Sequence, residues 1–154
     1  MSQEIMQKFY EAFQKHDAAA MSSLYHPDAR FSDPVFQNLD QKEVQGMWHM
    51  LIERSNGNLE IEFHSLMGDD QMAQCTWEAK YQFSKTKRDI HNVIHSTMEF
   101  KDGLILKHTD QFDFWRWSKM ALGTSGVLLG WSPMVKNKVR KMAIASLRSY
   151  LKKN

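Results

Sequence analysis

The 154-residue chain has little cysteine and little proline, and it has no long apolar run. Its single cysteine, Cys75, excludes an internal disulfide framework and favours a reducing, cytoplasmic location. No stretch approaches the roughly 20 apolar residues of a membrane-spanning helix. The opening MSQEIMQKFY has no basic cluster followed by an apolar block, so we expect no secretory signal. These absences favour one globular domain with an ordinary core.

Acidic residues are missing from the C-terminal part of the chain. Eight lysines and arginines, and no acid, lie between Ser118 and Asn154. The first 117 residues hold 12 basic and 18 acidic side chains, a net charge of −6. Residues 134–152 have the spacing of a basic amphipathic helix, in which Val135, Val139, Met142, Leu147 and Tyr150 share one arc. The chain therefore combines an acidic body with a basic tail.

We expect this tail to dock on the acidic body or on a second copy of the chain. Contact with a membrane surface or a partner protein is the alternative, because the basic helix follows an apolar GVLLGW segment. Nucleic acid is disfavoured as a partner, because no alternation of aromatic and basic residues resembles a binding platform.

Hydrophobic periodicity predicts helices first and strands afterwards. Helical spacing covers residues 3–15 and 41–54, and Asp17 and Asp40 are suited to cap the second and third helices. Apolar and polar residues alternate over four later segments, 59–67, 72–84, 90–101 and 104–115. This order predicts an α+β fold, with helices packed on one face of a curved antiparallel sheet.

One carboxylate lies within an apolar run. In RFSDPVF, residues 30–36, Asp33 stands between Phe31 and Val35 and directly precedes Pro34. The simpler interpretation is a turn that points the acid at water. The alternative is a carboxylate held in an apolar pocket, where burial raises its pKa and suits it to proton transfer near neutral pH.

A histidine and an aspartate follow each other in LKHTDQFDFW. By strand periodicity, His108, Asp110 and Phe112 share a face with Leu106. Two such residues lie about 6–7 Å apart at the backbone, close enough to hydrogen-bond or to act on one ligand. The alternative is a satisfied polar pair with no chemical role.

Other chemistry-bearing residues fit ordinary structural roles. His91 and His95 share a strand face, but no third ligand stands out, so we expect no metal site. Aromatic residues cluster late in the chain and suit either a plain core or a cavity for a hydrophobic ligand. They are Trp77, Tyr81, Phe83, Phe112, Phe114 and Trp115.

The segment FYEAFQKHDAAAMSSLYHPDARFSDPVF, together with the order of elements, resembles the nuclear-transport-factor-two-like superfamily. That group includes ketosteroid isomerases, polyketide cyclases, limonene epoxide hydrolase and scytalone dehydratase. The resemblance covers residues 3–115 and implies a cone-shaped domain, in which a bent sheet wraps around the N-terminal helices and encloses a deep pocket. Residues 118–154 would form a C-terminal helical extension.

The resemblance assigns expected roles to individual residues. In ketosteroid isomerases the aspartate of the Asp-Pro pair is the general base, and Asp33 matches that position. Tyr25 matches a pocket tyrosine of the same family. The two oxyanion donors of that family are not matched, because their positions fall at Phe9 and near Ser96. Trp48 stands where another pocket tyrosine would be.

The polyketide-cyclase-like branch places a histidine and an aspartate on the last long strand, as His108 and Asp110 do here. The resemblance therefore implies an enzyme without metal or organic cofactor that moves a proton on a small hydrophobic carbonyl compound, by isomerisation, cyclisation or dehydration. Asp33 would be the base, and His108 and Asp110 would orient the substrate or stabilise charge. The expected substrate-binding residues are Tyr25, Phe9, Trp48, Ser96, Phe112 and Trp77.

Two alternatives to this enzyme stay open. One is a non-catalytic protein whose pocket binds a small hydrophobic ligand, or which binds a protein partner. The other, ranked third, is epoxide hydrolysis, which requires an Asp–Arg–Asp arrangement around a water. The central arginines are Arg30 and Arg54, and strand parity turns Arg30 away from Asp33. Because relatives often pair through the outer face of the sheet, the resemblance also implies a homodimer.

Overall fold

The computed structural model describes residues 1–124, 126 and 132–153 of the chain. Its elements, in chain order, are α1 Ser2–Gln14, α2 Ala18–Ser23, β1 Tyr25–Ser32, α3 Gln41–Ser55, β2 Glu60–Gly68, β3 Met72–Gln82, β4 Asp89–Lys101, β5 Leu104–Gln111, α4 Phe114–Leu122 and α5 Pro133–Lys153. The predicted α+β class is confirmed, with a curved, unclosed sheet and a C-terminal helix. The apolar segment 127–131 of the predicted extension lies outside the described residues.

Two aspartates begin helices where the sequence predicts. The Asp17 side chain accepts a hydrogen bond from the backbone N–H of Ala20 at 3.0 Å. Asp40 and Glu43 form a reciprocal capping box, in which each side chain accepts from the other's backbone N–H. Because these bonds satisfy N–H groups that the first helical turn leaves without partners, both helix starts are set locally.

The five strands lie in the order β1-β5-β4-β3-β2. Pairing is antiparallel between β5 and β4, β4 and β3, and β3 and β2, but β1 runs parallel to β5. The expected antiparallel sheet is therefore corrected to a mixed one. A parallel neighbour needs a long crossover connection, and here α3 and three strands lie between the two paired segments.

The last strand differs from its prediction in two respects. It ends at Gln111 rather than at residue 115, because the Asp113 side chain accepts from the Arg116 backbone N–H at 3.1 Å and begins α4. A register shift in the β4–β5 pairing, between Glu99 and Phe100, changes which side chains of β5 face inward near the start of that strand. As a result Ile105, and not Leu106, is fully buried.

Aromatic side chains from α1, α3 and the inner face of the sheet fill the core. Phe13 of α1 contacts both Trp48 and Trp77, with ring centroids 5.1 and 5.3 Å apart. Offset and edge-on ring contacts of this kind add stability beyond the apolar area that they bury. Three of the predicted pocket residues, Phe9, Trp48 and Trp77, are thus buried core residues.

The C-terminal extension packs on the chain's own body. Leu147 of α5 is fully buried in the main core, and Leu151 lies so close to Gly46 of α3 that a Cβ at that glycine would collide with it. Tyr150 donates to Glu53 Oε2 at 2.6 Å. Met142, expected on the inward arc, is instead 41% exposed. Among the described residues, no helix is long and apolar enough to cross a membrane.

We expect Leu147→Ala to lower the free energy of unfolding by about 2–5 kcal/mol, because it leaves a cavity where α5 meets the core. Urea unfolding followed by circular dichroism measures this change. Arg148→Ala is the matched control, since Arg148 is exposed on the same helix, and it should change stability by less than about 0.5 kcal/mol. Equal, small effects of the two substitutions would show that α5 does not pack on the body in solution.

Candidate active site

A buried polar network surrounds His108 inside the sheet. Its Nδ1 lies 2.8 Å from the Tyr25 hydroxyl, and its Nε2 lies 3.0 Å from Asp110 Oδ1 and 3.1 Å from Ser96 Oγ. Strand β5 directs His108 and Asp110 inward, and pairing with β4 places Ser96 opposite Asp110. All four side chains are buried, so the network is sealed from water.

The partners of the imidazole determine where its proton lies. Because a carboxylate only accepts hydrogen bonds, the contact with Asp110 requires a proton on His108 Nε2. The Trp48 indole N–H donates to the Tyr25 oxygen at 2.9 Å, so the Tyr25 hydroxyl is free to donate to His108 Nδ1. The result is a chain of donors that runs from Trp48 to the Asp110 carboxylate.

Four aromatic rings enclose the imidazole of His108. Tyr25 and Trp48 lie nearly parallel to it, with interplanar angles of 22° and 25°. Phe9 and Phe31 meet it edge-on, with centroids 5.5 and 4.9 Å away. With both nitrogens bonded and the ring completely buried, the histidine is held in one orientation.

Tyr10 is a member of the network that the sequence comparison with ketosteroid isomerases missed. Its hydroxyl donates to Ser96 Oγ at 2.8 Å. Burial, and secondarily the charge of Asp110, raises the pKa of Tyr10 well above its ordinary value, so it stays a hydrogen-bond donor. Helical spacing could have identified it, since Tyr10 lies four residues after Met6 and three before Phe13, both buried.

Asp33 combines the two arrangements that the sequence left as alternatives. Its Oδ1 accepts from the backbone N–H groups of Val35 and Phe36 at 2.7 and 2.6 Å, which is the hydrogen bonding of an aspartate turn. The turn faces inward, however, since Phe36 is buried in the core and Val35 packs against it. No hydrogen bond to Oδ2 is found within the described ranges. Asp33 is therefore anchored by one oxygen at the edge of an apolar interior.

Burial raises the pKa of Asp33 to about 7. The two backbone hydrogen bonds oppose this rise, the negative charge of Asp110 adds to it, and the positive charge of Arg140 opposes it. Charge thus links Asp33 to Asp110, while one hydrogen bond joins Asp110 directly to His108. Arg140 could not be predicted from the sequence, because it lies on α5 and its approach to Asp33 depends on the docking of that helix.

Two surface clefts lie outside the buried network. The larger, about 560 Å³, is bordered by Tyr81 of β3 and Met120 of α4. The smaller, about 340 Å³, is bordered by Phe112. Asp33, His108 and Asp110 line neither cleft. Tyr81 nevertheless packs against the core. Burial raises the pKa of Tyr81, and the negative charge of Asp33 raises it further.

The outer face of the sheet carries a separate histidine group. Glu78 lies 2.7 Å from His91 Nε2 and 3.0 Å from His64 Nε2, and His95 Nδ1 lies 3.1 Å from Thr76. In the part of the chain that the structure describes, no three histidine, cysteine, aspartate or glutamate side chains are arranged to hold a metal ion. The homodimer expected through this face stays a prediction.

A known protein-family model matches most of this chain. The model of the SnoaL-like domain matches residues 6–108. No curated protein matches the chain.

Three solved structures of similar fold illustrate the likeness. IdmH of Streptomyces antibioticus, described as a candidate polyketide cyclase, is 17% identical, with a TM-score of 0.62 over 74% of this chain and 93% of that one. AclR of Streptomyces galilaeus, described as a candidate hydroxylase, is 13% identical, with a TM-score of 0.63 over 82% and 95%. A candidate isomerase of Bacillus subtilis is 15% identical, with a TM-score of 0.63 over 79% and 92%.

We predict that Asp33→Asn stabilises the protein increasingly as the pH rises. The unfolded chain releases the Asp33 proton near pH 4, but the folded protein holds it up to about pH 7, so folding loses stability across that interval. The amide cannot ionise, and its gain over wild type should reach about 2–4 kcal/mol near pH 8. Urea unfolding at about pH 4.5 and about pH 8 measures it. A gain in the free energy of unfolding that is the same at both pH values would contradict the raised pKa of Asp33. Asp28→Asn is the control, because Asp28 is exposed and its substitution should give no such pH dependence.

We expect Tyr25→Phe to lower the free energy of unfolding by about 2–4 kcal/mol, because it leaves the Trp48 N–H and His108 Nδ1 buried without a partner. Thermal and urea unfolding measure the loss. Tyr150→Phe also removes a bonded hydroxyl, but one that meets the exposed Glu53, and it should cost less than about 1 kcal/mol. A Tyr25 variant as stable as wild type would mean that the buried donor chain does not exist.

Proposed function

Because the chain belongs to the SnoaL-like domain family, we propose that it is a cofactor-independent enzyme that transfers a proton on a small hydrophobic carbonyl compound. The reaction is an isomerisation, a cyclisation or a dehydration. The observation that carries this proposal is the inward-facing turn that anchors the Asp33 carboxyl by Oδ1 at the edge of an apolar interior. Burial there raises the pKa of Asp33 to about 7. Catalytic bases are most effective when their pKa lies near the working pH.

Asp33 acts as the base. Its carboxylate takes a proton from a carbon next to the substrate carbonyl, and the C–H electron pair moves into the carbonyl to form an enolate. In a substrate with a β,γ double bond, Asp33 returns the proton to the γ carbon and completes an isomerisation. In a cyclisation, the enolate carbon attacks a second carbonyl and the new alkoxide takes the proton from Asp33. In a dehydration, the hydroxide on the β carbon leaves with that proton as water. The bonds from Val35 and Phe36 to Oδ1 fix the direction of the carboxylate during the transfer.

Tyr81 supplies a hydrogen bond to the enolate oxygen. Its hydroxyl accepts from the Trp117 indole N–H at 2.9 Å and so keeps its own hydrogen for donation. Tyr81 also borders the 560 Å³ cleft, which Asp33 does not line, so the proposal requires a substrate in that cleft to pass Tyr81 in order to reach Asp33. Donors directed at developing negative charge commonly supply the largest part of such catalysis.

His108 and Asp110 act from the interior. Both imidazole nitrogens are hydrogen-bonded, so the His108–Asp110 pair is fixed in position. The negative charge of Asp110 then adds to the effect of burial and raises the pKa of Asp33. The descriptions of two structural neighbours as a candidate polyketide cyclase and a candidate isomerase are compatible with this reaction class.

A non-catalytic ligand-binding protein is the second candidate. It is favoured by the enclosure of His108 within four rings, which leaves no free group of that side chain for a substrate. Such a protein would hold a hydrophobic molecule in the 560 Å³ cleft without changing it. The two candidates differ in whether a bound ketone exchanges protons.

The test uses 2-tetralone, a hydrophobic ketone with acidic C–H groups, in deuterated water. Wild-type protein should incorporate deuterium next to the carbonyl above the buffer rate, and Asp33→Asn should lose this activity by about 100-fold or more. Mass spectrometry measures the exchange, and quenching of tryptophan fluorescence measures ketone binding, which should be retained. Asp28→Asn is the exposed control and should exchange as wild type does. Binding without exchange in wild type would favour the second candidate.

A further inference from the structure

Arg140 links the C-terminal helix to the turn that carries Asp33. Its Nε–H donates to the Pro34 carbonyl at 2.9 Å, although the two residues are 106 positions apart. Pro34 lies within the turn whose N–H groups hold Asp33 Oδ1. A side chain of the extension therefore holds the backbone that positions the candidate base.

The charged groups that act on Asp33 come from different elements. Asp110 of β5 disfavours its ionised form, and Arg140 of α5 favours it. Tyr81 of β3 is a further titratable neighbour, and it stays neutral because burial raises its pKa. Within the described residues, Asp33 and Arg140 do not form a direct ion pair, so the guanidinium acts across a gap. Both side chains are partly buried, so this attraction is screened less than one between fully exposed charges.

Packing of α5 on the body of the protein places Arg140 beside the Asp33 turn. Leu147 anchors α5 in the core, and Leu151 fits against Gly46. Next to the arginine, Val139 packs on the apolar cluster that contains Trp117 of α4. The helix thus delivers a permanently charged group to the turn before any ligand is present.

We propose that Arg140 is a positioning residue for Asp33: the Arg140 Nε–H fixes the Pro34 carbonyl, and the Arg140 charge favours the ionised form of the Asp33 side chain. The coupling of these two residues is a property of the free protein. Its consequence for catalysis rests on the proposed function. The proposed site then draws on both predicted parts of the chain. Asp33 lies in the predicted domain, residues 3–115, and Arg140 lies in the predicted extension, residues 118–154.

The test is a titration of the Asp33 carboxyl by carbon-detected NMR, with its signal assigned by its loss in Asp33→Asn. Arg140→Gln removes the charge, and we expect the titration midpoint of Asp33 to rise by about 0.5–1 pH unit. Arg140→Met is a second neutral variant of similar length, for use if the first does not fold. Arg140→Lys keeps the charge and should restore most of the wild-type midpoint. Arg148→Gln removes an exposed charge from the same helix and should leave the midpoint unchanged.

Equal midpoints in wild type and in a folded neutral variant would overturn the proposal, even if that variant were less stable. A rise that Arg140→Lys does not reverse would also overturn it, because the charge would then not be the cause. If wild type exchanges deuterium into the ketone, the acid limb of its pH profile should shift upward in Arg140→Gln by the same interval as the midpoint. Absence of exchange in wild type, with the midpoint shift still present, would remove the proposed function and leave the coupling intact.

Discussion

The buried contact between His108 Nε2 and Asp110 Oδ1, 3.0 Å long, is the constraint on which the interior of this protein depends. A carboxylate without water costs several kcal/mol unless hydrogen bonds and a nearby partner compensate. Here the partner is an imidazole whose other nitrogen is bonded to Tyr25, which in turn accepts from Trp48. Each polar group satisfies the next, so the aromatic core can close around a charge.

That charge has an effect beyond its own hydrogen bonds. In a poorly hydrated interior the field of Asp110 reaches Asp33, where it adds to the effect of burial and disfavours ionisation. The same loss of hydration that destabilises a charged Asp33 suits it to exchange a proton near neutral pH. Burial of Asp33 therefore lowers the stability of the folded protein at neutral pH and, at the same time, brings its pKa into the range useful for proton transfer. The positive charge of Arg140 opposes this rise in pKa, because it favours the ionised form of Asp33.

Features that depend on a few neighbouring residues were predictable. The caps at Asp17 and Asp40 are of this kind, because each joins a side chain to a backbone N–H three residues later. The prediction failed where a local signal competed with a longer pattern. The alternation after Gln111 suggested more strand, but the cap at Asp113 begins a helix instead.

The sequence by itself determined α1, α2, α3, β2, β3, β4 and the helical C-terminal segment, with most of their ends, because these follow from hydrogen bonds and spacings within one or two turns of chain. It also placed His108 and Asp110 within reach of each other, since both lie on one strand. It did not predict β1, which lies between α2 and α3 and pairs with a strand distant in sequence. Only the tertiary structure decided that β1 runs beside β5, that the Asp33 turn faces the core, and that Arg140 approaches it from α5. Those outcomes depend on contacts between segments that are distant in sequence, and burial and charge, which set the chemistry of a side chain, are properties of its neighbours in space.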